Sequence, residues 1–221
     1  MTCGPTCLLS VLRFFGDETP FERILELTPT NPDGGTLAVY LGQAALQLGY
    51  EARIYCYNLR VVDPTWSQLA PDEIREKLLS RAAAVKKPKL QAACRAYAEF
   101  LSAGGQLEVR ADLTPGLVVA ILEQGRPPLC GLSATYLYQQ PRERPDDNEE
   151  DDVAGDPVGH VLVISGHENG EQFFVRDPAA RVSEDPGGEH GFAAQRLLNA
   201  VLLGIVSYDA VLLEIWPRTS S

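Results

Sequence analysis

A chain of 221 residues, 45% of them hydrophobic, can bury a sizeable core and has the length of one domain, or of one domain carrying an insertion. Its formal net charge of −11 repels phosphate backbones and anionic lipid, which argues against nucleic acid and membrane surfaces as partners. There is no apolar run of about 18 residues and no basic segment leading into an apolar stretch, so neither a transmembrane helix nor a signal peptide is expected, and a cytoplasmic location follows.

The first element is predicted over Pro5–Phe15, where Cys7, Leu8, Val11, Leu12 and Phe15 recur at spacings of three and four, Pro5 suits a first turn and Gly16 a stop. Cys3 then stands at a helix entrance. A short helix around Phe21–Leu27, the loop TPTNPDGG and a second amphipathic helix ending near Gly49 come next, followed by EARIYCY as a strand. From Asp72 to Gly105 strong helix formers dominate and Lys87-Pro88 interrupts them, which predicts a helical pair and an inserted region over about 66–104. A further helix is expected at Leu113–Gly125, with Thr114 as its N-cap and Pro115 in its first turn. Strand character marks PPLCGLSATYLY, GHVLVISG, EQFFVRD and AVLLEIW, with one more helix around Ala193–Leu203. Helices first and strands later predict a single α+β domain whose sheet is mostly antiparallel.

The strongest compositional break is PRERPDDNEEDDVAGDPVGH, an acidic loop over about 141–157 with three prolines. It lacks the spaced ligands of a calcium loop and reads as a solvated excursion, or as a lid because it feeds straight into His160. His160 opens an apolar strand that turns through HENG into a second strand ending at Asp177, and a hairpin of that length lays the carboxylate beside the imidazole. Cys3 reaches them from the far end of the chain.

The three residues divide the labour of a nucleophilic site. A thiolate at Cys3 attacks a carbonyl once a helix N-terminus and an imidazolium lower its pKa. His160 takes and returns the proton, and Asp177 fixes its tautomer. Gly4 leaves room for backbone to approach a substrate, and the Cys3 N–H supplies one donor to the oxyanion. Cys7 is a rival nucleophile, but its place on the apolar stripe favours burial. Cys56, Cys94 and Cys130 read as core thiols, and five scattered cysteines without a C-x-x-C pair argue against a disulfide framework or a zinc clamp. His167, in the predicted turn, and His190, in PGGEHG, read as solvent-facing, and Trp66 and Trp216 as packing residues.

Three segments, T-C-G-P-T-C-L-L at 2–9, D-G-G-T-L with L-G-Y between 33 and 50, and G-H-V-L-V-I-S-G with V-R-D-P-A between 159 and 179, resemble the double-glycine leader peptidases that process bacteriocins, a branch of the papain-like cysteine peptidases. The resemblance implies a papain-like fold in which N-terminal helices carrying the cysteine pack on the sheet that carries histidine and aspartate. It places the catalytic cysteine at Cys3, the histidine at His160 and the aspartate at Asp177, with Gly4 and Gly159 beside the substrate, no metal and no cofactor. The family's oxyanion glutamine, a few residues upstream of its cysteine, has no match, because the sequence begins two residues before Cys3. Either an earlier native start or a side chain such as Gln43 or Asn58 is expected to supply that donor, or the enzyme is weak. No transporter segment is attached, so export-coupled leader removal is not implied. The expected activity is hydrolysis of a peptide or amide through a thioester. Two alternatives stay open, acyl transfer to an amine as in phytochelatin-synthase-like enzymes and a degenerate domain that binds peptides uncleaved.

Overall fold

A computed structural model describes residues 2–30, 35–178, 189–207 and 209–218. Among them run α1 (Cys3–Phe14), α2 (Phe21–Leu27), α3 (Ala38–Gln47), β1 (Tyr50–Cys56), α4 (Pro71–Ala84), α5 (Pro88–Ser102), β2 (Gln106–Val109), α6 (Pro115–Glu123), β3 (Leu129–Ser133), α7 (Ala134–Tyr138), β4 (Gly159–Glu168), β5 (Gln172–Arg176), β6 (Glu189–Ala193), α8 (Ala194–Leu203) and β7 (Val211–Pro217). The strands form one sheet in the order β2-β1-β7-β3-β4-β5-β6, antiparallel at every pairing except β1 with β2. The fold is therefore α+β with a mixed sheet.

Alternation along the strands divides the core in two. Ala52, Ile54, Val161, Val163, Val211 and Leu213 pack with the apolar stripes of α1 to α5. Tyr55, Leu132, Leu162, Ile164 and Leu212 turn the other way and pack with α6, α7 and α8. Helices thus cover both faces of the sheet.

Several local expectations are met for the reasons given. Thr114 Oγ1 accepts the Leu117 N–H at 3.3 Å and caps α6. Lys87-Pro88 separates α4 from α5, and this pair forms the crossover between the parallel strands β1 and β2, a connection that a hairpin turn cannot make. Others are corrected. Helix α1 begins at Cys3, two residues before the predicted start, because the Thr6 N–H already reaches the Thr2 carbonyl and Pro5 occupies a first-turn position that needs no N–H. The stretch read as one strand from Pro127 to Tyr138 breaks at Ser133, whose side chain accepts the Tyr136 N–H and starts α7. Strand β4 runs on to Glu168, so His167 lies inside it: the ring meets Phe173 and is half-buried, its Nδ1 fully so, instead of facing solvent in a turn. His190 is half-buried in β6, opposite Val175. The matched residues Asp33, Gly34 and Ala179 lie outside the described residues.

The acidic loop is an exposed excursion held to itself, with Glu143 and Asp156 exchanging backbone hydrogen bonds and Arg144 paired to Asp147 at 2.6 Å. It returns to the body where Thr135 Oγ1 and the Ala134 N–H bind the backbone of Val158.

Asp209 is a buried carboxyl at the α3 N-terminus, 8% exposed, whose Oδ1 accepts the Ala38 N–H at 3.2 Å. Burial pushes it up to about 6, so the folded chain binds this proton more tightly than the unfolded chain does. The charge then costs stability above pH 6, and the cost disappears as pH falls towards the ordinary value of 3.8. Asp209→Asn keeps the acceptor for Ala38 and removes the charge. It is expected to stabilise the protein by about 2–3 kcal/mol near pH 8 and by almost nothing near pH 4, read by urea denaturation. An equal effect at both pH values would remove this carboxylate from the account.

Candidate active site

The site forms where α1 crosses β4. Cys7, Leu8, Val11 and Leu12 of α1 share a core with Val161 and Val163 of β4. The Cys7 thiol donates to the Val161 carbonyl at 3.2 Å, fixing the first turns of the helix beside the residue that follows His160. Cys3, one turn above, is half-buried at the start of α1, where the influence of His160 reaches its thiol.

Asp177 arrives from the neighbouring strand. β4 and β5 pair Val163 with Arg176, after a bulge that inserts one extra residue between Ile164 and Gly166. Asp177, the next residue after Arg176, thereby lies towards the β4 start, and its Oδ1 accepts from His160 Nε2 at 2.7 Å. That contact leaves Nδ1 as the ring nitrogen available to Cys3. Asp177 is 2% exposed, and its Oδ2 accepts a second hydrogen bond from the Tyr138 hydroxyl.

These contacts set the protonation states. Burial pushes the Cys3 thiol up, but the hydrogen bond and charge of His160, with backbone hydrogen bonds at Val161 and Gly4, outweigh it and hold the pKa below the ordinary thiol value. The first turn of α1 carries no acidic residue to oppose a thiolate at the positive helix end. Burial pulls His160 down, yet its hydrogen bonds to Asp177 and Cys3 and their charges raise it to about 9. The pair therefore favours thiolate and imidazolium together. Cys7, by contrast, is pushed well above the ordinary thiol value by burial and then by the neighbouring Cys3, and Cys130 is pushed up to about 12 by burial. Both stay protonated at neutral pH.

The remaining predicted residues are placed as follows. Gly4 is buried, and a Cβ there would stand 3.3 Å from Leu41 Cδ1 and 3.5 Å from Thr36 Cβ. Its missing side chain lets α1 approach α3, while the Gly4 backbone stays beside the thiolate. Gly159 opens β4 opposite Ser133. Gln43 donates to the Ala96 carbonyl of α5 at 2.9 Å, and Asn58 is fully buried with its Oδ1 on the Arg60 N–H, so both expected substitutes for the oxyanion donor are engaged elsewhere. Tyr138 was missed, because α7 was read as strand. No group of three metal-binding side chains is arranged to hold an ion among the described residues.

Of two cavities, the first includes Asp177 in its lining and the second includes none of the three site residues. One, of about 640 Å³, is lined by Cys7, Arg13 and Phe14 of α1 with Arg126, Arg176 and Asp177. The other, about 430 Å³, lies between α7 and the end of α8 and is lined by Ser133, Tyr136, Gln140, Leu203 and Val206. Among the described residues no helix is long and apolar enough to cross a membrane. No family model, curated protein or solved structure matches the chain.

Proposed function

We propose that this chain is a cysteine hydrolase of the papain-like, double-glycine leader peptidase kind, acting in the cytoplasm as one domain on a peptide or amide substrate and needing no cofactor. The observation that carries the reading is the convergence of Cys3 with the hydrogen-bonded pair His160 and Asp177, drawn from opposite ends of the sequence, with the thiol lowered and the imidazole raised. Structural histidines and buried cysteines do not require that pairing of shifts.

The chemistry then proceeds from the resting ion pair. The Cys3 thiolate adds to the substrate carbonyl carbon, and the negative charge passes to the carbonyl oxygen at the α1 N-terminus, where the Cys3 N–H is free of intrahelical bonding. Collapse breaks the carbon–nitrogen bond as the His160 imidazolium gives its proton to the departing amine, leaving a thioester on Cys3. Neutral His160 next takes a proton from water, whose oxygen attacks the thioester and releases the acid and the thiolate. Asp177 holds the imidazole in orientation throughout.

The reading is tested with p-nitrophenyl acetate as a generic acyl donor and a mixed peptide library, followed by intact-mass and peptide-mapping spectrometry. We expect acetyl on Cys3 alone that turns over in water, and new peptide termini from the library. Acetyl-Cys3 that discharges only to added amines would establish acyl transfer instead. Peptides retained without any acylation would make the chain a binding domain.

A further inference from the structure

Tyr138 belongs to no part of the mechanism above, yet its hydroxyl meets the site. Three observations converge on it. Its hydroxyl donates to Asp177 Oδ2, the carboxylate oxygen not used by His160. Its ring packs edge-on against Phe192 of β6, with centroids 5.7 Å apart. Its helix, α7, exists because Ser133 caps it at the end of β3, the strand paired with the start of β4.

A carboxylate held through one oxygen turns freely about the Cβ–Cγ bond, and the Oδ1 bond to His160 lengthens and bends as it turns. A donor on the second oxygen fixes the plane. A hydrogen bond to a charged, buried acceptor is among the stronger ones a side chain makes. We infer that Tyr138 is a positioning residue for the proposed hydrolase, acting through Asp177 to hold His160 in register with Cys3. The inference rests on the triad reading. The competing account gives Tyr138 only a packing role, with its ring filling space beside Phe192 and its hydroxyl satisfied by the nearest acceptor.

Tyr138→Phe separates these accounts, because it keeps the ring and removes the hydroxyl. Iodoacetamide labelling of Cys3 is followed across about pH 4–9 in the wild type, Tyr138→Phe and His160→Ala, with the imidazole nitrogens of His160 titrated in the first two by NMR and thermal midpoints recorded. In Tyr138→Phe the acid limb of Cys3 labelling is expected to move up by about one pH unit, a roughly tenfold loss of rate near pH 6, with the His160 titration falling from its value of about 9 and the thermal midpoint nearly unchanged.

Coincident labelling curves and His160 titrations in wild type and Tyr138→Phe, whatever the thermal midpoint, would overturn the inference and leave the triad standing. A wild-type Cys3 that labels no faster than in His160→Ala would overturn the triad reading itself. The imidazole titration then still reports whether the hydroxyl acts on His160.

Discussion

Cys3→Ala is expected to abolish acyl turnover, a loss on the order of 10⁴-fold or more, while Cys7→Ala leaves the rate within a few-fold of wild type. The two thiols stand one turn apart on α1, so the contrast tests environment and not mere proximity. Cys3 is half-buried, under the influence of His160 and ionised more readily than an ordinary thiol. Cys7 is 1% exposed, gives its proton to the Val161 carbonyl, and is held protonated by burial. Removing the Cys7 sulfur leaves a small cavity under α1 and one carbonyl without its donor, an expected stability loss of about 1–3 kcal/mol with little effect on chemistry. Steady-state rates with p-nitrophenyl acetate, beside thermal midpoints of both variants, provide the check. Loss of turnover in Cys7→Ala at an unchanged midpoint would move the nucleophile to Cys7.

The parts of this site legible in the sequence were those with local signatures. The stripe from Cys7 to Phe15 predicted a helix whose entrance is Cys3, and the apolar run after His160 predicted the strand and the hairpin that brings back Asp177. What stayed hidden depended on tertiary contacts or on competing short-range chemistry. The bulge in β4 leaves no mark in an apolar run, although it sets the position at which Asp177 arrives. Tyr138 was lost because PPLCGLSATYLY has strand composition throughout, and only the hydroxyl of Ser133, competing for the Tyr136 N–H, turns its second half into a helix. Strand β2 has four residues, too few for a periodic signal, and is fixed by its parallel pairing with β1 across a distant crossover. Gly4 has a packing reason that the sequence does not show, because its absent Cβ faces Leu41 and Thr36.

His160→Ala is expected to act most strongly below neutrality, and the sign follows from the two shifts. In the wild type the thiolate persists below the ordinary thiol value and the imidazolium persists up to about pH 9, so the reactive pair occupies the interval between these titrations. Turnover of an amide substrate should therefore fall on the acid side as Cys3 gains its proton, and on the alkaline side as His160 loses the proton it must deliver to the leaving amine. Without the imidazole, the largest remaining influence on Cys3 is burial, which raises its pKa. Labelling of Cys3 on the acid side should drop by about tenfold for each unit by which the loss of the imidazole raises its pKa. The two labelling curves should converge only above the raised thiol pKa of the variant, where Cys3 is ionised in both. Turnover, which also needs the proton donor, should fall further than labelling, by an additional factor on the order of 10² or more. Parallel curves separated by the same factor at every pH would point instead to a steric role for the ring. A general defect in α1 would show in the thermal midpoint as well. The decisive feature is thus the shape of the profile: only a proton shared between Cys3 and His160 makes the penalty of losing the imidazole grow as the pH falls and vanish once both groups are deprotonated.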